Sequence, residues 1–165
     1  IKSGQIASIL GLLLVLIYMF LSYGRFGIYS NISLLINLSL IVAVLSILQA
    51  TLTLPGIAGI ILTIGMAVDA NVLIFERIRE EISNKKSVIN AIDNGYKRAR
   101  TTILDANITT FIAAIILFQL GSGPIKGFSI TLAIGIITSV FTAFTLTRFL
   151  VAMWIKRSNP KEINI

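Results

Sequence analysis

The sequence has 165 residues, of which 56% are hydrophobic and only 13% charged, whereas soluble domains have roughly 45–50% apolar and about 25% charged residues. This composition excludes an ordinary soluble domain. Fourteen Lys and Arg against seven Asp and Glu leave a net charge of +7, but long charge-free stretches interrupt the bases, which argues against a nucleic-acid-binding face. Cysteine and histidine are absent, which excludes disulfide frameworks, thiol nucleophiles, histidine metal sites and Ser-His-Asp triads.

Five apolar segments are long enough to cross a hydrocarbon core of about 30 Å, which takes roughly 20 helical residues. They cover residues 6–23, 32–54, 57–75, 103–120 and 128–147, with short connections at 24–31, 55–56 and 121–127. Their hydrophobicity is continuous and does not alternate, which excludes a membrane β-barrel. The sequence therefore predicts an all-α membrane protein, with five transmembrane helices in a single transmembrane domain over residues 1–165.

The basic residues lie almost entirely at one end of this predicted bundle. The other end has only Lys2 and Lys126. The twelve bases of the rich end are Arg25, Arg77, Arg79, Lys85, Lys86, Lys97, Arg98, Arg100, Arg148, Lys156, Arg157 and Lys161. Because cytoplasmic segments are enriched in Lys and Arg, this asymmetry predicts a cytoplasmic C-terminus and places residue 1 outside. The sequence begins with Ile and shows no signal-peptide pattern, so we expect at least one further helix before residue 1.

The polar stretch at residues 76–101 is the longest predicted connection and would lie in the cytoplasm. Within it, four small or apolar residues recur at helical spacing: Val88, Ile92, Gly95 and Ala99. This pattern predicts a short amphipathic helix at the membrane interface between the third and fourth spans. Its basic face suits either anionic lipid headgroups or a docking partner, and the residues do not decide between them.

Two carboxylates interrupt the apolar spans. Asp69 lies about 10 Å along the helix from the predicted cytoplasmic end at Glu76, and Asp105 lies about 6 Å inward from Thr101. A carboxylate at the centre of a membrane helix costs about 2.5–3.5 kcal/mol on insertion scales, and no Lys or Arg lies within any span. Asp69 therefore needs a water-filled cavity, a proton shared with Asp105, or a basic residue on another polypeptide.

These two acids are the candidate functional residues. Burial favours the protonated form of a carboxyl, so Asp69 and Asp105 are suited to take up a proton from one side of the membrane and release it to the other. The alternative is structural, with both acids neutral and hydrogen-bonded to Asn71, Asn107 or Thr109.

Small and hydroxyl residues predict close contacts between helices. Gly65 lies one turn before Asp69, so a helix backbone can approach that face. In the fifth span, five residues form one helical stripe: Thr131, Gly135, Thr138, Thr142 and Thr145. The stripe suits helix packing; alternatively, threonines such as Thr138 and Thr142 line a hydrated path past the acids.

Paired aspartates within a membrane can also cleave peptides, so proteolysis has to be considered. Intramembrane aspartyl proteases carry Tyr-Asp on one helix and Gly-x-Gly-Asp on the next. Here Met66, Ala67 and Val68 precede Asp69, Leu104 precedes Asp105, and neither motif is present. Proteolysis is therefore disfavoured, and no enzymatic activity is expected.

Two segments of the chain carry longer motifs. The first runs from Pro55 to Gly59 and from Gly65 to Glu81, and contains Val68-Asp69-Ala70-Asn71. The second runs from Thr101 to Thr110, contains Leu104-Asp105-Ala106-Asn107, and continues from Gly121 to Phe128. Together they resemble the SecD/SecF family of protein-export membrane proteins, in the RND superfamily. SecF members carry Asn-Asp-Thr near Asp69-Ala70-Asn71 and Phe-Asp-Arg at Phe75-Glu76-Arg77, so the resemblance is closer to SecD members.

The resemblance implies an RND-type six-helix half-bundle of which this chain holds the last five helices, without the first helix and the large exported domain that grips preprotein. It implies that Asp69 carries a proton step, that Asp105 is a second polar member of the site, and that SecF supplies an intramembrane arginine. The implied function is proton-driven, ATP-independent late translocation of preproteins at the bacterial inner membrane. The implied partners are SecF, the SecYEG translocon and YajC, and no cofactor is expected besides the coupling proton. The alternatives are a membrane scaffold for an exported domain and an RND-type small-molecule exporter.

Overall fold

The computed structural model describes residues 2–163 and residue 165. Its helices are α1 (Lys2–Tyr23), α2 (Arg25–Ile47), α3 (Leu54–Ser83), α4 (Val88–Leu120), α5 (Pro124–Phe141) and α6 (Arg148–Ser158), and a π-helical segment (Thr142–Thr147) joins the last two. Since α5, the π segment and α6 form one continuous rod of 35 residues, five helical rods are long and apolar enough to cross a membrane. The predicted all-α membrane fold is confirmed.

The connection between the first two helices is much shorter than predicted. In place of a loop at 24–31, Gly24 alone joins α1 to α2, which begins at Arg25. Gly24 has a φ of +56°, which glycine adopts without steric cost. The two helices are in contact immediately after this turn. Gly27 of α2 lies so close to the carbonyl oxygen of Met19 in α1 that a side chain at Gly27 would collide with it.

Two prolines begin helices. Pro55 and Pro124 lie in the first turn of α3 and α5, where the missing backbone N–H leaves no hydrogen bond unmade. The connections predicted at 55–56 and 121–127 are therefore misplaced, and the actual turns are residues 48–53 and 121–123.

The amphipathic helix predicted within residues 76–101 is not a separate element. α3 continues to Ser83 and α4 begins at Val88, so both helices extend past their apolar segments as a hairpin. Three of the four residues of the apolar face, Ile92, Gly95 and Ala99, are buried, and the face packs against α3. Gly95 permits this packing, because its Cα lies directly against Ile78 and leaves no room for a side chain. We call this hairpin, the α1–α2 turn and α6 the basic end of the bundle.

α3 is the central helix and contacts α1, α2, α4 and α5. Towards the basic end, its Phe75 ring lies 5.2 Å from Tyr23 and 5.6 Å from Phe26, and Phe26 meets Trp154 edge-on at 5.6 Å. Such aromatic pairs add about 0.5–1.5 kcal/mol each beyond the area that they bury. They join α1, α2 and α6 to the central helix.

α3 and α5 approach closely because glycines face threonines across their interface. A Cβ atom on Gly59 would lie 3.2 Å from the Cβ of Thr131, and one on Gly135 would overlap the side chain of Thr63. Small residues at membrane helix contacts allow this approach and bring many backbone atoms within van der Waals distance. Thr131 and Gly135 of the fifth span therefore pack against α3.

The π segment interrupts the stripe predicted along the fifth span. The stripe is buried as far as Thr142, but Thr145 is exposed and Thr147 is buried in its place. A π turn repeats after five residues, and the Thr147 hydroxyl lies 3.3 Å from the carbonyl of Thr142, five positions earlier. The segment therefore rotates the buried face of everything that follows it, including α6.

Candidate functional site

Asp69 lies in a groove between α3 and α4 with a volume of about 270 Å³. The groove combines apolar side chains with three polar residues of α4: Thr102, Asn107 and Thr110. Asp69 is exposed on the surface of the chain. Within residues 2–163 and 165, its carboxylate has no hydrogen bond and no ion pair. The acid that the sequence predicts to need a partner therefore finds none in this part of the chain.

The α4 wall of the groove includes two polar residues that sequence reasoning misses, Thr102 and Thr110. Thr102, Ala106 and Thr110 are four residues apart and share one face of α4, which is a signal that the sequence carries. Asn107 is among the predicted residues; its Nδ2 donates to the carbonyl of Ile103 at 2.7 Å. The Asn107 Oδ1 is buried and accepts no hydrogen bond from the described residues, so the groove wall offers a free acceptor.

Asp105 does not line this groove. It is exposed and lies two residues after the buried Ile103, which places it about 200° around α4 from that contact. Thr109 donates at 2.9 Å to the backbone carbonyl of Asp105, not to its carboxylate. The fold therefore brings Asp69 together with Asn107, while Asp105 and Thr109 lie on another face.

Asn71 lies inside the bundle, about 200° around α3 from Asp69, and is 3% exposed. The hydroxyl of Thr147 is 3.5 Å from the Oδ1 of Asn71 and 2.7 Å from the Oγ of Ser33. The buried hydroxyls of Thr138 and Thr142 donate to carbonyls of their own rod. Thr147, Ser33 and Asn71 join α2, α3 and the π segment on the side of α3 away from Asp69.

The side of α3 that carries Asp69 is open. Gly65, one turn earlier, is exposed, and a Cβ atom there would meet no atom within 4 Å. We call the surface formed by Gly65 and Asp69 the open face of α3. It offers a small residue beside an unpaired carboxylate, which is an arrangement that another helix can approach closely.

A second acid of α3, Glu81, is missed by sequence reasoning. Its side chain has no exposed surface, and its carboxylate lies 2.6 Å from the Nζ of Lys86 and 2.8 Å from the guanidinium of Arg98. Glu81 lies six residues beyond the apolar segment. The contact with Lys86, assisted by the charge of Arg98, lowers the pKa of Glu81 although burial opposes this. Its spacing of three residues from the buried Ile78 is a signal for its burial.

The fold and the site define a class of protein: a multi-pass helical membrane protein whose apolar region carries, on an open helix face, a carboxylate that pairs with none of the described residues. Within the described residues, no three Asp, Glu, His or Cys side chains cluster as metal ligands. The family described as protein export membrane protein SecD/SecF, C-terminal, matches residues 1–157. The chain belongs to this family, which confirms the resemblance carried by the segments around Asp69 and Asp105.

Relatives in this family match the whole chain. The protein translocase subunit SecD of Rickettsia prowazekii is 53% identical and that of Acetobacter pasteurianus 50% identical, each over 100% of this chain and 32% of the relative. The crystal structure of SecDF, a translocon-associated membrane protein from Thermus thermophilus, matches with a TM-score of 0.92 and 41% identity over 97% of this chain and 22% of that chain. The chain thus spans about a third of the length of these curated relatives.

Proposed function

We propose that this chain is the membrane part of a SecD-type translocase subunit, which uses proton movement to drive late, ATP-independent steps of preprotein translocation. The observation that carries the proposal is the unpaired carboxylate of Asp69 in the α3–α4 groove. In an apolar region such a group is stable only when it is protonated, hydrated or paired with a cation. Alternation between the protonated state and either ionised state amounts to the uptake and release of a proton.

The cation belongs to a partner subunit. No Lys or Arg lies within the five apolar segments of this sequence, and the open face at Gly65 and Asp69 leaves space beside the acid. A SecF-type subunit that places an arginine there would pair with ionised Asp69 and lose this contact when Asp69 takes up a proton. Moving one charge through 100 mV is worth about 2.3 kcal/mol, which shifts a two-state equilibrium roughly fifty-fold.

We place the protein in the bacterial inner membrane with its basic end in the cytoplasm. Twelve of the fourteen bases lie at that end, as expected for cytoplasmic segments. The start of α1 then lies on the outer side, where an exported domain that grips preprotein would join. In this proposal, the SecYEG translocon and YajC are further partners of the protein.

Proton flux tests the role of Asp69. The chain is reconstituted with its SecF-type partner in vesicles that contain a pH-sensitive dye, and the variant Asp69→Asn is compared with Glu80→Gln. Glu80 is an acid on the same helix, 3.0 Å from Arg77 in an exposed ion pair. We expect Asp69→Asn to reduce the flux to that of partner-free vesicles and Glu80→Gln to leave it unchanged.

The same vesicles distinguish coupling from assembly. If Asp69→Asn still co-purifies with the partner, the loss of flux reflects the missing proton site and not a broken complex. Flux at the wild-type rate in Asp69→Asn would refute proton coupling and would favour a membrane scaffold for an exported domain.

A further inference from the structure

A cavity of about 390 Å³ lies at the basic end, between the start of α2 and the end of α6. Its lining residues include Gly24, Arg25, Phe26, Trp154, Ser158 and Glu162. It shares no lining residue with the Asp69 groove. The proton step proposed above makes no use of it.

Arg25 is the charged group that marks this cavity. Its guanidinium carbon lies 5.0 Å from the centre of the Trp154 ring, a cation–π contact that holds the side chain in place. Arg25 is exposed and has no carboxylate within ion-pair distance among the described residues. Six other bases of the same end do have one: Arg77, Arg79, Lys86, Lys97, Arg98 and Arg148. The cavity is thus lined by a positioned cation that forms an ion pair with no carboxylate of the described residues, including Glu162 of the same lining.

Further hydrogen-bond donors surround Arg25. The indole N–H of Trp154 is buried and donates to no acceptor in the described part of the chain. Ser158 adds a hydroxyl to the lining. The first turn of α2 has no side-chain cap, so its leading backbone N–H groups have no partner within the helix. The side-chain position of Gly24 is empty out to 4 Å, so a ligand has room beside this turn.

We propose that this cavity binds the phosphate of an anionic phospholipid in the cytoplasmic leaflet. The assignment of the leaflet rests on the orientation proposed above. Tryptophan and arginine are typical of the membrane–water interface, a guanidinium matches the geometry of phosphate oxygens, and basic pockets between membrane helices bind lipid headgroups. Lys156 and Arg157, in the last turn of α6, add to the positive field. Glu162 opposes it and weakens the binding.

Trp154 is the single tryptophan of the sequence, so its fluorescence reports on lipids at this cavity. The chain is reconstituted in phosphatidylcholine vesicles that contain a fixed minor fraction of brominated phosphatidylglycerol, or the same fraction of brominated phosphatidylcholine. We expect the anionic lipid to show an about fivefold higher relative affinity for the Trp154 site, the factor that corresponds to one base near the membrane surface. Equal quenching by the two lipids would overturn the proposal.

Matched variants distinguish a specific lipid site at Arg25 from a general attraction of the anionic lipid to the positively charged end of the bundle. Arg25→Gln should abolish the preference for phosphatidylglycerol, Arg25→Lys should retain part of it, and Glu162→Gln should increase it. Arg100→Gln removes an exposed base of the same end that does not line the cavity, and should leave the preference unchanged. An equal loss in Arg25→Gln and Arg100→Gln would show that the net charge is responsible, and would overturn the site.

The source of the phosphate is tested in the same vesicles. If inorganic phosphate at moderate concentration abolishes the preference, the cavity binds a soluble anion and the lipid assignment is wrong; if the preference persists, the lipid assignment stands. Because the vesicles carry the lipid in both leaflets and the assay needs neither Asp69 nor a partner, a failure here is distinguishable from a failure of proton coupling.

Discussion

Asp69 and Glu81 are two acids of the same helix with opposite surroundings. Asp69 lies within the apolar segment, is exposed on the chain and has no ion-pair partner among the described residues. Glu81 lies beyond the apolar segment, has no exposed surface, and contacts both Lys86 and Arg98. Burial within the folded chain and depth in the membrane are therefore independent properties in this protein.

The contrast indicates a division of roles along α3. The charge of Glu81 is balanced by groups that the chain itself supplies, so its ion pairs stabilise one arrangement of the α3–α4 hairpin. The charge of Asp69 is balanced by none of the described residues, so its state can change without breaking an ion pair among them. We expect function to depend on Asp69 and stability on Glu81.

The largest effect is expected at Asp69. The variant Asp69→Asn should lower proton-gradient-driven export at least about tenfold, while its thermal midpoint stays the same or rises, because a carboxylate near the bilayer centre costs about 2.5–3.5 kcal/mol. Export into vesicles with and without a proton gradient, together with thermal unfolding in detergent, measures both quantities. Normal export combined with a lower midpoint would contradict the division of roles.

The reverse result is expected at the bases that hold Glu81. The double variant Lys86→Met/Arg98→Met leaves a buried carboxylate without a cation and should lower the thermal midpoint by about 5 °C or more, with proton flux unchanged. The control Arg77→Met breaks an exposed pair with Glu80, and its midpoint should shift by no more than about 2 °C. If the two variants lower the thermal midpoint equally, the buried ion pairs of Glu81 contribute no more to stability than the exposed pair does.

Two glycines test the difference between the packed α3–α5 interface and the open face of α3. At Gly135 a Cβ atom would overlap Thr63, so Gly135→Ala should destabilise the chain by about 1–3 kcal/mol. At Gly65 the space is empty, so Gly65→Ala should stabilise it by up to about 1 kcal/mol through helix propensity. Gly65→Ala should nevertheless weaken association with the partner. Unaltered association would show that the open face is not the contact surface.

The smallest effect is the contribution of Glu81 to pH dependence. Since the pKa of Glu81 is lowered from its ordinary value of 4.5, the unfolded chain takes up this proton at a higher pH than the folded chain does. The stabilisation is therefore complete above about pH 4.5 and is lost as the pH falls through the folded pKa. Glu81→Gln should lose less stability than the wild type between pH 5 and 3, and parallel curves would contradict the assignment.

The spans were predictable because each depends on the composition of one continuous segment. Their ends were less so. α3 and α4 continue into polar sequence because Gly95 allows the two extensions to pack on each other, and hydropathy does not report this contact. The prediction of a loop at 24–31 was wrong for a similar reason. Gly24 and Gly27 together allow a tight turn between the two helices, and hydropathy does not report it.

The candidate site was predictable only in part. Asp69 and Asp105 give the same signal, an acid within an apolar run, yet only Asp69 lines the α3–α4 groove. Which acid does so depends on the rotation of each helix about its axis, and this is set by packing at positions such as Ile103. The spacing of Glu81 from Ile78 is only a weak signal of its burial, because its sequence neighbours are charged and its burial requires α4 to dock.

The sequence by itself determined that the protein is a bundle of five membrane helices, which end carries its bases, and that its intramembrane acids lack a cation of their own. These properties follow from the types of residues and their order along the chain. Only the tertiary structure decided that Asp69 lies beside Asn107 on an open face, that Asp105 lies elsewhere, and that Thr147 replaces Thr145 at the core after the π segment. These depend on which sides of the helices meet, and close packing selects those sides.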